Sequence, residues 1–95
     1  MDEKKKSEFG VNRVRKHHKV KIIPIYFDAV NEGRKTYEVR KNDRNYTNAD
    51  TITLQEWDKE YTGRELEFRI GHVLHLSDFF NNDNPYVVFS LLADG

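Results

Sequence analysis

The chain has 95 residues, no cysteine and a formal net charge of zero, which suits one small domain with a modest core. The lack of cysteine excludes disulfides, zinc–thiolate sites and thiol nucleophiles. No apolar run reaches the length of a membrane-spanning helix, and the charged amino terminus lacks the apolar core of a signal peptide, so the expectation is a cytoplasmic, monomeric protein.

The charge is unevenly placed. Residues 1–46 carry 13 Lys/Arg against 7 Asp/Glu, a balance of +6; residues 47–95 carry 3 against 9, a balance of −6. Either the halves neutralise each other on folding, or a basic face is left for phosphate. Twelve aromatic residues, six Phe, five Tyr and one Trp, supply much of the apolar area available to so short a chain.

In chain order, Met1–Val14 is polar and Lys-rich without periodicity, and residues 1–16 are read as a flexible basic tail preceding a domain at 17–95. Arg15–Ile23 turns β-branched, with Val20 and Ile22 alternating with Lys19 and Lys21 as in a half-exposed strand. Pro24 ends that strand and opens a helix of about two turns, IPIYFDAVNEG. Tyr26, Phe27 and Val30 share one helical face, Asp28 and Glu32 face water, and Gly33 closes the helix in the left-handed conformation. Thr36–Lys41 alternates again, Tyr37 and Val39 on one side and Glu38 and Arg40 on the other. Asn42–Asp50 is dense in turn formers.

Thr51–Trp57 places Ile52 and Leu54 on one face, with Thr51, Thr53 and Gln55 opposite. Arg64–Leu76 is the longest strand candidate, and Gly71 within it predicts a bulge or bend. Ser77–Pro85 is a loop carrying Phe79 and Phe80, of which one is expected to line a cleft or a partner surface. Tyr86–Leu92 is a short apolar run suited to a buried strand. The pattern predicts an α+β, mainly β fold: a small barrel of about five to six strands with one or two short flanking helices.

The stretch Gly33–Arg44, GRKTYEVRKNDR, concentrates seven ionisable side chains in twelve residues. Charges so dense between two ordered elements require partners or a ligand. Glu38 and Arg40, two apart on a strand, emerge on one face about 7 Å apart at the Cα level. Arg40 offers a planar fork for phosphate or a base edge. Glu38 can accept from an exocyclic amine or act as a general base. Lys35 can neutralise phosphate or, if desolvated, act as a base or nucleophile. The alternative is a salt-bridged lattice that closes the barrel. Arg44 is the member of Asn42–Arg44 best suited to reach an anion, and Arg13, Arg15, Lys16, Lys19 and Lys21 form a phosphate-tracking patch or, in the alternative, a solvated edge. Trp57, Tyr61, Phe79 and Phe80 are either base-stacking surfaces or core. His17 and His18 point to opposite faces of a strand, and His72 and His75 lack a third ligand, so no metal and no cofactor is expected.

Gly33, Lys35, Glu38 and Arg40 together form a GxKxxExR pattern that resembles the signature of the ASCH domain, a branch of the PUA-like superfamily. Asn48–Leu54 resembles that family's later stretch, in which a Gly-Asp pair precedes a strand; here Ala49 stands for the glycine. HKVKI, YFDAV, GRKTYEVRKNDR and YTGR extend the resemblance from about His17 to Leu92, toward a small phage and bacterial ASCH-like branch. The resemblance implies a PUA-like barrel with a cleft beside the GxKxxExR segment that binds RNA or a nucleotide-like ligand, with Lys35, Glu38, Arg40, Arg44, Lys21 and Lys19 as the ligand-binding residues. A second implication is a small hydrolase, acting on acylated nucleosides or RNA, with Lys35 and Glu38 as the catalytic pair. A related hydrolase carries the same Gly-Arg-Lys-Thr start, Gly33 to Thr36, but its catalytic threonine falls where this chain has Glu38. A third reading is a phage protein that binds a host factor through Ser77–Pro85.

Overall fold

A computed structural model describes residues 14–93. Residues 1–13 of the tail expected at 1–16, Arg13 of the basic patch among them, lie outside the described residues. Five strands form one sheet: β1 (His17–Ile22), β2 (Tyr37–Lys41), β3 (Thr51–Trp57), β4 (Tyr61–His75) and β5 (Tyr86–Leu92). Among the described residues, one helix, α1 (Pro24–Asn31), and a single 3₁₀ turn, Leu76–Asp78, complete the regular structure. The strand order is β1-β3-β4-β5-β2, with β1 parallel to β3 and every other pair antiparallel. The sheet curls into a half-barrel around one core, the mainly β fold that the alternating runs predict.

The core follows from the period-2 patterns. Val20 and Ile22 of β1, Ile52 and Leu54 of β3, Ile70 of β4, and Val87 and Phe89 of β5 point inward and are buried. Each such side chain contributes on the order of 1.5–3 kcal/mol by leaving water. From α1, Phe27, Ala29 and Val30 are buried. Tyr26 departs from the expected shared face and is 51% exposed. Consecutive residues stand about 100° apart around a helix, so once Phe27 and Val30 meet the sheet, Tyr26 swings toward the barrel mouth. Asp28 does not simply face water: its carboxylate accepts from Arg64 at 2.8 Å.

Gly33 ends the helix as expected, at φ 78°. Its N–H bonds Val30 O at 3.0 Å and the N–H of Arg34 bonds Ala29 O at 2.9 Å, the double closure that requires a left-handed residue between. Gly71 sits where the β4–β5 register shifts between Ile70 and Val73, as a bulge requires. A Cβ there would meet the Ser90 hydroxyl and the Leu92 side chain, which would have to shift to admit it. The fourth strand begins at Tyr61, three residues before the sequence pattern places it, because Tyr61 pairs with Trp57 across a tight turn. Thr53, on the face opposite Ile52 and Leu54, is 6% exposed, with His17 Nε2 2.9 Å from its hydroxyl.

Two buried carboxylates tie the sheet together. Asp50, fully buried, accepts from the Lys16 N–H at 3.0 Å, from His18 Nε2 at 3.0 Å, and from the N–H and hydroxyl of Thr47 at 3.1 and 2.8 Å. Lys16, assigned to the tail from sequence, therefore belongs to the folded body. Burial works to raise the Asp50 pKa, and these hydrogen bonds outweigh it and hold it at about 2. Glu56 receives both Arg64 Nε and Nη2 at 2.9 Å and the Thr62 hydroxyl at 2.7 Å. The Arg64 bonds, then that of Thr62, hold Glu56 at about 2 as well. Arg64 reaches Asp28 with the same guanidinium and lies 4.4 Å from the Phe27 ring centroid, which pins α1 to the sheet.

Ala49 adopts φ 78° immediately before Asp50, where its N–H bonds Ile70 O at 2.8 Å. A Cβ costs roughly 1–2 kcal/mol in that conformation, partly offset by the roughly 0.4–1 kcal/mol that alanine saves in the unfolded chain. Ala49→Gly is therefore expected to stabilise the fold by about 0.5–1 kcal/mol, read as a rise of a few degrees in Tm by circular dichroism. The carboxylates set the acid limit. Groups whose native pKa is depressed stabilise the fold above their unfolded pKa, and that stability is lost as pH falls through the native value. Stability is expected to be level above pH 4.5 and to drop toward pH 2. Asp50 alone accounts for roughly 2 kcal/mol of that drop, and urea titrations at pH 6, 4 and 3 measure it.

Candidate functional site

β1 and β2 are the two free edges of the sheet order, and the curl brings them side by side with no backbone ladder between them. What spans the seam is a side chain: Arg40 Nη2 donates to Lys21 O at 2.8 Å. The same guanidinium donates Nε at 2.9 Å and Nη2 at 2.6 Å to Glu38 Oε2. Lys35 Nζ donates to Glu38 Oε1, and to Tyr37 O at 2.7 Å. Glu38 is 3% exposed. Both its oxygens are satisfied by cations, as a buried carboxylate requires. Lys35 stands at the corner where the chain leaves α1, which frees it from strand alternation and lets it meet a residue three positions on.

A cleft of about 560 Å³ opens over this cluster. Lys35, Glu38 and Arg40 form its polar part, Tyr26, Tyr37 and Ile23 its apolar part, and Lys21 stands on its β1 side. Lys35 Nζ lies 5.6 Å from the Tyr26 ring centroid and 5.1 Å from that of Tyr37, close enough for cation–π attraction. Lys35 and Arg40 keep 15% and 23% of their side chains exposed. Among the described residues, Arg40 Nη1 makes no hydrogen bond. Ligand-facing donor capacity therefore remains on both cations, whereas Glu38 is committed. Its role is to hold Lys35 and Arg40 in position.

A second cavity of about 420 Å³ adjoins the first and shares Lys21, Arg40 and Lys41 with it. Lys19 and Arg44 line only the second, with Tyr46 and Tyr61. Burial pushes the Tyr46 hydroxyl pKa up, against the opposing pull of Arg40 and Arg44. The six residues singled out as ligand-binding thus fall on these two adjoining cavities, with Lys35 and Glu38 in one, Lys19 and Arg44 in the other, and Lys21 and Arg40 in both.

Other sequence candidates lie elsewhere. Phe79 and Phe80, one of which is expected to line a cleft or partner surface, are 63% and 69% exposed and line neither cavity. Asn42 is a turn residue: its Oδ1 accepts the Tyr46 N–H at 3.1 Å. His17 faces outward to Thr51 and Thr53, and His18 inward to Asp50. Among the described residues no three His, Asp or Glu side chains gather as metal ligands, and no helix is long and apolar enough to cross a membrane. Tyr26, Ile23 and Lys41 were not identified from sequence. Tyr26 carries only a helix-face signal, and the seam that exposes it exists only after the sheet curls.

Comparison with known proteins follows this architecture. A family model described as "Domain of unknown function (DUF3850)" matches residues 17–91, which takes in the helix and all five strands but for Leu92 at the end of β5. The chain belongs to the DUF3850 family. An "Uncharacterized 12.9 kDa protein in GpA 3'region" of Escherichia phage P2 is 48% identical over 68 residues, covering 70% of this chain. The match covers 62% of that phage protein's length. Both cavities of the DUF3850 domain fall inside the family match.

The Glu38 cluster makes a direct stability prediction. Glu38→Gln leaves Lys35 and Arg40 without their counter-charge beside an apolar wall and is expected to destabilise by about 2–4 kcal/mol. A double-mutant cycle of Glu38→Gln with Arg40→Met, read by urea denaturation, is expected to return a coupling of about 1–3 kcal/mol.

Proposed function

We propose that this domain is a binding module for RNA or a nucleotide-like ligand, held in the cleft over Lys35, Glu38 and Arg40. The observation that carries the reading is the open 560 Å³ cleft whose polar floor is a pre-oriented lysine and arginine and whose walls are Tyr26 and Tyr37. A phosphate suits the two cations, since each holds its charge in a fixed place before the ligand arrives. A base suits the tyrosine rings, which offer flat apolar surface beside the charge. The size lies within the range of small-ligand pockets. The segment also follows a short helix and leads into a strand, the context in which the ASCH-like resemblance implies a cleft, and the proposal includes a PUA-like relationship for the DUF3850 fold.

Binding is favoured over turnover by the state of Glu38. A general base needs a free lone pair directed at the substrate proton. Both Glu38 oxygens face Lys35 and Arg40 instead. A hydrolase using Lys35 and Glu38 would first have to break this cluster.

Short single-stranded RNAs and modified nucleosides titrated against the wild type and Arg40→Ala test the reading. Loss of one charge-assisted contact is expected to weaken binding by about 10- to 100-fold, and affinity should fall with added salt in proportion to the phosphates neutralised. Equal binding by the two proteins removes Arg40 from the mechanism. If Arg40→Ala loses its native circular dichroism, Lys21→Ala on the exposed cleft side gives the same comparison.

A further inference from the structure

The geometry points to a longer ligand than one nucleotide: a single-stranded polynucleotide that follows the β1–β2 seam through both cavities, with Lys19, Arg44 and Tyr61 as a second subsite. This rests on the reading of the first cleft as a nucleotide site and extends it.

The two cavities are adjoining parts of one groove. Lys21, Arg40 and Lys41 belong to the lining of each, and the Arg40–Lys21 hydrogen bond crosses the seam between them. The second cavity is lined by five basic residues and one acid, Asp43, in a chain whose overall formal charge is zero. Such local excess draws a polyanion rather than a single charge. Lys19 and Lys21 share a strand face two residues apart, about 7 Å at the Cα level, close to the repeat of successive phosphates in an extended strand. The seam thus places cations in a line rather than around a point.

The second cavity also carries a stacking surface. Tyr61 is 53% exposed, and its ring meets Trp57 edge-on with centroids 4.9 Å apart. Lys21 Nζ lies 3.8 Å over the Trp57 ring and 5.7 Å from that of Tyr61. A cation beside an exposed aromatic is the pairing that receives a phosphate and its adjacent base together. A duplex keeps its base faces stacked inside and cannot use this surface, so the ligand is single-stranded. An acidic peptide meets the cations but leaves the Tyr61 face without a partner of matching shape.

The test is a length series: uridine monophosphate, a uridine trinucleotide and a uridine hexanucleotide, each titrated against wild type, Tyr61→Ala and Arg44→Ala. Trp57 is the chain's one tryptophan and touches the second subsite, so its fluorescence reports that subsite directly. The hexanucleotide is expected to bind at least tenfold more tightly than the mononucleotide and to change Trp57 emission. Tyr61→Ala and Arg44→Ala are each expected to weaken the hexanucleotide about tenfold and leave the mononucleotide unchanged. Both residues are exposed, and retained circular dichroism verifies the fold. Binding of the mononucleotide through Arg40 with no gain in length overturns the second subsite and leaves the first reading standing. No binding of any RNA overturns both. A polyglutamate peptide that displaces the hexanucleotide with equal affinity overturns the polynucleotide and replaces it with an acidic chain.

Discussion

A carboxylate held by two cations at the mouth of an incomplete barrel is the interaction on which the site depends. The sheet has two unpaired edges, and curling brings them together without a ladder to join them. Arg40 joins them, and it can do so only because Glu38 holds its guanidinium in the direction of Lys21 O. Lys35 fixes the other Glu38 oxygen from the end of the helix. One buried negative charge thus orders a helix end, two edge strands and two cations at once. Exposed strand edges are open to unwanted pairing; here a charged side chain occupies the gap and leaves a cleft in place of a continuous sheet.

A second ion network holds the middle of the helix. Arg64 bonds Glu56 with two nitrogens, reaches Asp28 and covers Phe27. The helix is therefore held in two places, at its middle through Asp28 and Arg64 and at its carboxyl end through the Gly33 turn and Lys35. That double attachment gives an eight-residue helix a defined position, although it is too short to be stable alone. Cleft geometry depends on this position, since Tyr26 and Lys35 reach the cleft from the helix and the turn that ends it.

The charge asymmetry between the two halves of the chain persists in the fold as a local concentration of cations. Asp28 with Arg64, an ion pair across the halves, joins the minority charge of each and so leaves the excess of both in place. Lys19, Lys21, Arg40, Lys41 and Arg44 instead gather along the seam, where the acids of the second half do not reach.

The elements themselves were legible in the sequence because their signals are local. Alternation identified the strands, Pro24 and Gly33 bounded the helix, and Gly71 marked the bulge, each through backbone chemistry that acts within a few residues. The GxKxxExR spacing likewise brought Lys35, Glu38 and Arg40 together, since they lie within six positions of one another. Facing was a different matter. A strand's two sides are equivalent by period, and hydrophobicity alone would bury Tyr37 and Val39; the fold exposes both and buries Glu38, because β2 is an edge whose inner side meets two cations rather than the core. Partners distant in sequence were equally hidden: Arg64 lies 36 residues from Asp28, and His18 lies 32 from Asp50. Only closure of the sheet brings such groups within hydrogen-bond reach, so the residues of the site were written in the sequence and the groove they line was decided by the curl.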